Sequence, residues 1–515
     1  MVTAIMPQVK TIVFLMLENR SLDNVLGWLY QDAAPQHVFP QNSPPAYDGL
    51  NTGPFQNPSY TWTRSVKNYP VVPVPGGLGA DQDRVPAYDP YEELKVDGSW
   101  KGVLNQLFGN QDPIGGLPPA DAQARMQGFL QDYYAWYMSG WKGLDILWTY
   151  TPAQLPAING LARSYAVSDR WFCSVPSQTN PNRAYSLCGT SLGRESNLNL
   201  FAIEQFDVPT VFNHLARAGK SWGLYFTDMW KQGKSYTEYT FPQISQATGN
   251  SDVGDISNFF QRAQDGTLPD FTYLEPTWGY GKGELFKQGT DYHPPTHVLP
   301  GDRFLQAVYA AVRGGPQWGQ TLLIVTFDEH GGTYDHCGPP PGAINPDGRK
   351  GPSGFDFDRF GVRVPTLLVS PFVRPSTVFR APAGSPAPFD HTSFIKTLLL
   401  WAGVDPGSVD MGARMPKAPT FEGALAGDHV NDETVQVEPP AYGLQSPPAS
   451  GAPAGEAPPA GSARPLDALF EGIPFAATRA IIATNDGIAG IQADTERYRQ
   501  DPEQYEASLA QTGAP

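Results

Sequence analysis

The sequence is short of cysteine, of positive charge and of long apolar runs, and each shortage excludes something. Cys173, Cys188 and Cys337 are the only cysteines in 515 residues. They are too few for a disulfide framework, they allow one bridge at most, and no CxxC pair exists to bind a metal through thiolates. Lysine and arginine number 35 against 51 aspartates and glutamates, giving a net charge of −16. No basic patch offsets this, so the positive footprint of a nucleic-acid binder is missing. No segment reaches the ~18 consecutive apolar residues of a membrane span. The N-terminal run TIVFLML follows Lys10 directly and ends on Glu18 rather than on small residues, so it is not a secretory leader. A cytoplasmic location is the default expectation, or a secreted or periplasmic one if a leader has been removed.

Glycine and proline are plentiful instead, 53 and 52 residues, about a fifth of the chain against a usual ~12%. Short apolar runs stand at 11–17 (TIVFLML), 321–327 (TLLIVTF) and 364–371 (VPTLLVSP), each the length of a buried strand. Amphipathic helical patterns lie between them, around 122–138, 154–165, 208–219, 301–313 and 391–402. This alternation predicts an α/β fold, a doubly wound and mostly parallel sheet sandwiched by helices. Residues 31–121 have little periodicity and read as a loop-rich cap inserted into a body that spans 1–435. Residues 436–464 form a Pro/Ala-rich linker, and 465–515 carry helical patterns that predict a C-terminal tail.

Two apolar runs end on polar residues of one chemical kind. TIVFLML leads into Glu18-Asn19, and TLLIVTF into Asp328-Glu329. Ligands bind beyond the carboxyl ends of strands in such sheets. Hard oxygen donors from both ends of the chain therefore meet at one place, suited to a divalent cation such as Ca²⁺, Mg²⁺ or Mn²⁺, with Zn²⁺ not excluded. The blander alternative is that each acid caps the following turn. A second cluster, PSQTNPNR at 176–183, places Thr179 or Asn180 at a helix cap and Pro181 in the first turn. A phosphate-type anion is favoured there, and Arg183 could grip the same oxyanion. A threonine is a weak nucleophile, so Thr179 in that role requires a metal or a base. Three of the eight histidines stand next to or near an aspartate: Asp291 with His293, Asp335 with His336, and Asp390 with His391. A carboxylate can orient an imidazole for acid–base work, although a single such pair is more often a turn. Glu275, after the strand-like FTYL, is a weaker element.

Taken together, ENRSLDNVLG, PSQTNPNR, the Glu-Pro at 275, the His-Pro-Pro at 293, DEHGGTYDH, GVRVPTLLVSP and DHTS occur in an order that resembles the bacterial phosphoesterase family. That family comprises phosphocholine-type phospholipases C and related acid phosphatases, and is similar in fold to the alkaline phosphatase and sulfatase superfamily. The resemblance spans about residues 10–405. It implies a metal-dependent phosphoric ester hydrolase acting on a phosphoester small molecule or a phospholipid head group. It further implies one divalent metal ion on Glu18, Asn19, Asp328 and Glu329, with Thr179 adjacent to or on it as nucleophile. Asp291, His293 and His336 would line the site, binding phosphate or handling protons. The mechanism expected from these residues is a double displacement through a phosphothreonine intermediate, with Arg183 binding substrate and His293 by preference protonating the leaving alcohol. The stretch Thr179 to Arg183 also looks like a sulfatase nucleophile signature, but threonine cannot be oxidised to formylglycine. Where some members have a histidine in D-P-x-H-E, this chain has Glu92. Aromatic residues of the cap (Tyr47, Tyr60, Trp62, Tyr69, Tyr88, Tyr91, Trp100) either pack a small core of their own or cage a choline-like cation. The rival functions are a glycosidase, a sulfatase-like hydrolase and a non-catalytic metal-dependent binding protein.

Overall fold

In the computed structural model the described residues are 3–435, apart from 61–65, 74–93, 96–101, 110–115, 138–140, 198–204, 229, 250, 280–288, 295 and 297. The linker at 436–464, the tail at 465–515, Glu92, Trp62, Tyr88, Tyr91 and Trp100 lie outside them. Nine strands form the main sheet: β1 (Thr11–Leu17), β2 (His37–Phe39), β3 (Ala166–Ser168), β4 (Trp222–Phe226), β5 (Ser251–Asp255), β6 (Phe271–Leu274), β7 (Thr321–Phe327), β8 (Thr366–Val369) and β9 (Thr377–Phe379). Their order across the sheet is β2-β9-β3-β8-β7-β1-β6-β4-β5. The sheet is mostly parallel. Its exception is β8, which runs antiparallel to both neighbours, β7 and β3. The run at 364–371 reads like its parallel counterparts because burial on both faces, not direction, sets an apolar composition.

Every residue of β1 and β7 is buried, so helices cover both faces of the sheet centre. Six helices matter for the site: α1 (Leu22–Leu26), α2 (Pro156–Ser164), α3 (Thr179–Leu187), α4 (Val211–Arg217), α5 (Leu299–Gly314) and α6 (His391–Trp401). Helix α2 packs on α5, and α3 packs on α6. Phe14 of β1 stacks on Phe394 of α6 with ring centroids 4.0 Å apart. No helix among the described residues is long and apolar enough to cross a membrane. The three cysteines are free and buried, so no bridge forms.

Part of the stretch expected to be a cap belongs to the body. His37–Phe39 pairs in parallel with β9 at the edge of the main sheet, and Tyr47 sits in the main core at 2% exposure. Elsewhere Leu50, Val71, Val103 and Leu107 join Met126, Phe129, Leu130 and Tyr133 in a separate small core, against which Tyr69 packs. Tyr47 and Tyr69 therefore serve packing.

Candidate active site

Strands β1 and β7 are adjacent and parallel, with Leu17 opposite Phe327. Their register places Glu18 and Asp328 side by side, one residue past the last paired rung. Asn19 follows in a left-handed backbone conformation, φ 54°, which is uncommon away from glycine and clusters at functional sites. Its backbone N–H donates to Asp328 Oδ1 at 3.0 Å. Gly331, itself at φ 61°, leaves room for this turn, because a Cβ there would stand 2.3 Å from the Asn19 carbonyl oxygen. The His391 ring lies 2.6 Å from the backbone carbonyl of Asp328. A carbonyl can only accept, so His391 donates and braces this strand end.

Thr179 is the first residue of α3, with Gln178 as the cap. The preceding loop is pinned by Asn182. Its amide donates to the carbonyls of Val175, Ser177 and Gln178 and accepts from the Val175 N–H. The Thr179 hydroxyl thereby points at the β1 terminus, 3.3 Å from Glu18 Oε2 and 3.5 Å from Asn19 Oδ1.

Arg183, one turn further along α3, is 1% exposed. It donates to Glu18 Oε1 through Nη2 at 2.6 Å and Nε at 3.0 Å, and its Nε stands 3.3 Å from Asp328 Oδ2. The Met16 and Leu17 carbonyls and the Tyr273 hydroxyl take its remaining donors, and its face lies over the Trp278 ring at 4.9 Å. The structure therefore places Arg183 between the carboxylates rather than free to meet an oxyanion. Burial, then the neighbouring Asp328, pushes the Glu18 carboxyl well above its ordinary range, with Arg183 opposing.

The loop 289–294 supplies the next residues. The Asp291 carbonyl accepts from the Glu18 N–H at 2.8 Å. Burial pushes the Asp291 carboxyl up to about 7, against the backbone N–H groups of Gly279 and His293 that donate to it. His293 Nδ1 lies 2.5 Å from the Pro294 carbonyl, and Nε2 lies 3.0 Å from Asn19 Nδ2. A carbonyl accepts and an amide nitrogen donates, so the network assigns the proton to Nδ1 and the lone pair to Nε2. Burial holds the ring neutral, at about 3. In this state His293 orients the Asn19 amide.

Of the other residues expected at this site, Glu329 follows Asp328 directly and His336 lies elsewhere. The Glu329 carboxylate accepts from the Gly331 N–H at 2.6 Å. His336 belongs to a separate buried network. Its Nδ1 is 2.6 Å from Asp23 and its Nε2 is 3.2 Å from Asp48. Arg363 bridges Asp23 at 3.0 Å and Asp335 at 2.9 Å. Burial alone would lower the His336 pKa, but Asp23 and Asp48 hold it up at about 9. Glu275 is buried at the end of β6, where it accepts from the Thr237 N–H. Asp390 caps α6.

Among the described residues, Asp23, Asp335 and His336 are the acids and histidine whose donor atoms lie within 4.8 Å of one another, a spacing that could hold a metal ion. Arg363 already supplies the positive charge in that group. The Thr179 cluster has a donor set suited to a hard cation. Glu18, Asn19, Asp328 and the Thr179 hydroxyl contribute oxygens, and the buried Asp328 Oδ2 makes no hydrogen bond. One arginine against Glu18, Asp328 and Asp291 leaves negative charge to be offset. These residues fit a divalent ion.

Sequence reasoning missed Asn182, Tyr273, Trp278 and the bracing role of His391. Of these, only the asparagine-rich TNPN segment carried a signal, since a buried asparagine beside a turn is a loop-holding residue.

Residues 9–401 match the model of the phosphoesterase family. Non-specific phospholipase C3 of Arabidopsis thaliana is 33% identical over 403 residues, covering 76% of this chain and 69% of the relative. Non-specific phospholipase C1 of the same plant is 33% identical over 397 residues, covering 76% and 66%. Phospholipase C B of Mycobacterium tuberculosis is 26% identical over 436 residues, covering 77% and 74%. A solved protein of the alkaline phosphatase superfamily from Vibrio parahaemolyticus aligns at a TM-score of 0.29 and 13% identity, over 52% of this chain and 64% of its own. The chain belongs to the phosphoesterase family, as a phospholipase C-like phosphoric ester hydrolase.

Proposed function

We propose that the chain hydrolyses the phosphodiester of a phospholipid on its glycerol side, with Thr179 as nucleophile and one divalent cation held by Glu18, Asn19, Asp328 and Glu329. The observation that carries this reading is the aim of the Thr179 hydroxyl, from the first turn of α3 onto Glu18 and Asn19 at the end of β1. The Thr179 Oγ–phosphorus bond forms as the bond from phosphorus to the diacylglycerol oxygen breaks, and the threonine proton ends on the released alcohol. Water then displaces Thr179, freeing the phosphorylated head group. When bound, the cation supplies Lewis-acid activation of the hydroxyl and offsets charge on the transferring oxygens. The chain's own contribution is placement. Asn182 fixes the loop, Arg183 holds Glu18 and Asp328 in register, and His293 sets the Asn19 amide so that its oxygen faces Thr179. The positive end of α3 favours the phosphoryl group.

The test is hydrolysis of p-nitrophenylphosphorylcholine and p-nitrophenyl phosphate by the wild type and by Thr179→Val, with and without chelator. The reading predicts diester turnover that the chelator abolishes and that Thr179→Val lowers by at least ~10³-fold. Turnover of the monoester alone would make the chain a phosphomonoesterase. Equal rates for both proteins would remove Thr179 from the mechanism, and no turnover of either substrate would return the binding-protein alternative.

A further inference from the structure

The small core around Val103, Leu107 and Phe129, inserted between β2 and β3, reaches the candidate active site through His330. This residue follows Glu329 in the turn after β7, and its side chain is fully buried. Its Nδ1 lies 3.5 Å from Glu329 Oε2, the oxygen that accepts from the Gly331 N–H. The ring thus closes one side of the Glu329 carboxylate. Two residues of the insertion hold that ring. Its Nε2 stands 2.7 Å from Oε1 of Gln106, in the helix Val103–Phe108, its one ring hydrogen bond among the described residues. Phe129 meets it edge-on, with ring centroids 6.2 Å apart. Tyr334, on the same turn, packs on Phe129 at 5.3 Å and belongs to the small core.

The hydrogen bonds in this row have one direction. Asp132 is buried, and both its carboxylate oxygens accept: Oδ1 from the Gly102 N–H, which precedes the helix, and Oδ2 from Gln106 Nε2 at 2.8 Å. With its nitrogen committed to Asp132, Gln106 turns its amide oxygen to His330, and that oxygen can only accept. His330 therefore donates from Nε2. Asp132 sets the amide, the amide sets the ring, and the ring borders Glu329. A buried network with these bonds made specifies one arrangement of its members.

We propose that Gln106 and Asp132 are positioning residues of the cation site, and that the inserted small core is thereby coupled to cation binding. The proposal rests on the reading of Glu329 as a cation ligand. Groups behind a metal ligand set its direction, and replacing them weakens metal binding about 10–100-fold. The coupling is reciprocal by thermodynamic necessity. If order in the insertion strengthens cation binding, a bound cation tightens the insertion by the same factor.

The experiment is calorimetric titration of the full chain with Mn²⁺ and with Ca²⁺, joined to amide hydrogen exchange of peptides from 102–109 and 128–133. The proposal predicts that Gln106→Met weakens cation binding about tenfold. Asp132→Asn weakens it similarly, because an amide there can donate and lets Gln106 reverse. In the wild type the cation slows exchange in both peptides; in Gln106→Met it does not. Glu329→Gln separates the proposal from the reading beneath it. No wild-type binding, or binding that Glu329→Gln leaves intact, would remove Glu329 from the site and the proposal with it. Binding that requires Glu329 but is unchanged in Gln106→Met and Asp132→Asn would overturn the proposal alone. If the variants fail to fold, the wild type decides: exchange at 102–109 that the cation does not slow overturns the coupling.

Discussion

Replacing Arg183 by methionine probes both the fold and the electrostatics of the site. The wild-type guanidinium is 1% exposed and the Glu18 and Asp328 side chains 4% and 0%. The substitution keeps the length and packing of the side chain but strands two buried carboxylates, two backbone carbonyls and the Tyr273 hydroxyl. Breaking one side of a buried ion pair costs about 3–5 kcal/mol, against a total stability of about 5–15 kcal/mol for a folded domain. The loss is also pH-dependent. The Glu18 carboxyl is already raised by burial and Asp328, and without Arg183 it rises further. In the window between the ordinary glutamate pKa and the raised folded value, the folded state binds a proton that the unfolded state does not. Stability in that window therefore falls by about 1.4 kcal/mol per pH unit. Urea denaturation of the wild type and Arg183→Met, both metal-free, across pH 5 to 8 measures both effects. A difference below about 1 kcal/mol at neutral pH, or a variant that gains stability as pH rises, would refute the reasoning. Added divalent cation should restore part of the loss, because it replaces the missing positive charge.

The other predictions concern parts of the same machinery. His336 is held protonated up to about 9, so its contribution of about 3 kcal/mol is fully present below the ordinary histidine pKa and lost as pH rises through 9. Denaturation profiles from pH 6 to 10 should flatten in His336→Gln, and an unchanged profile would contradict the ion network. Gly331→Ala would set a Cβ 2.3 Å from the Asn19 carbonyl oxygen; kcat should fall at least ~10-fold, given ~1–3 kcal/mol of strain, and wild-type kcat would show that Asn19 is not held as described. Asn182→Leu removes the bonds that pin the loop before Thr179 and should cost about 2–4 kcal/mol of stability by the same denaturation assay.

The fold was legible where the sheet is most buried. Strands β1 and β7 announce themselves because burial on both faces demands uninterrupted apolar residues, and the polar residues after each mark the sheet's carboxyl edge. The short strands β3, β5 and β9 left no such trace: Ser251–Asp255 is a polar SDVGD held at the sheet edge by its neighbour β4. The direction of β8 was not legible, since side-chain composition reports burial and not polarity of the chain. At the site, residues local in sequence to a strand end or helix start were found. Thr179 lies beside the end of β1 because a helix N-terminus and a parallel-sheet edge each have one place in such a fold. Side-chain direction was not legible. His336 lies two residues beyond Tyr334, whose carbonyl is bound by the Ser21 hydroxyl, and the chain there turns toward Asp23 and Arg363. Arg183 is drawn inward by two buried carboxylates, an electrostatic outcome that appears only when both strands are in place. The glycines and prolines so abundant in the chain do local work at this edge, as Gly331 does for Asn19.

The most direct test of the central claim is rapid acid quench of the metal-loaded protein during turnover of p-nitrophenylphosphorylcholine, followed by peptide mass spectrometry. The account predicts a phosphoester on the peptide that contains Thr179, at that residue. Phosphorylation of a different residue, or a reaction that proceeds at full rate in Thr179→Val, would contradict it.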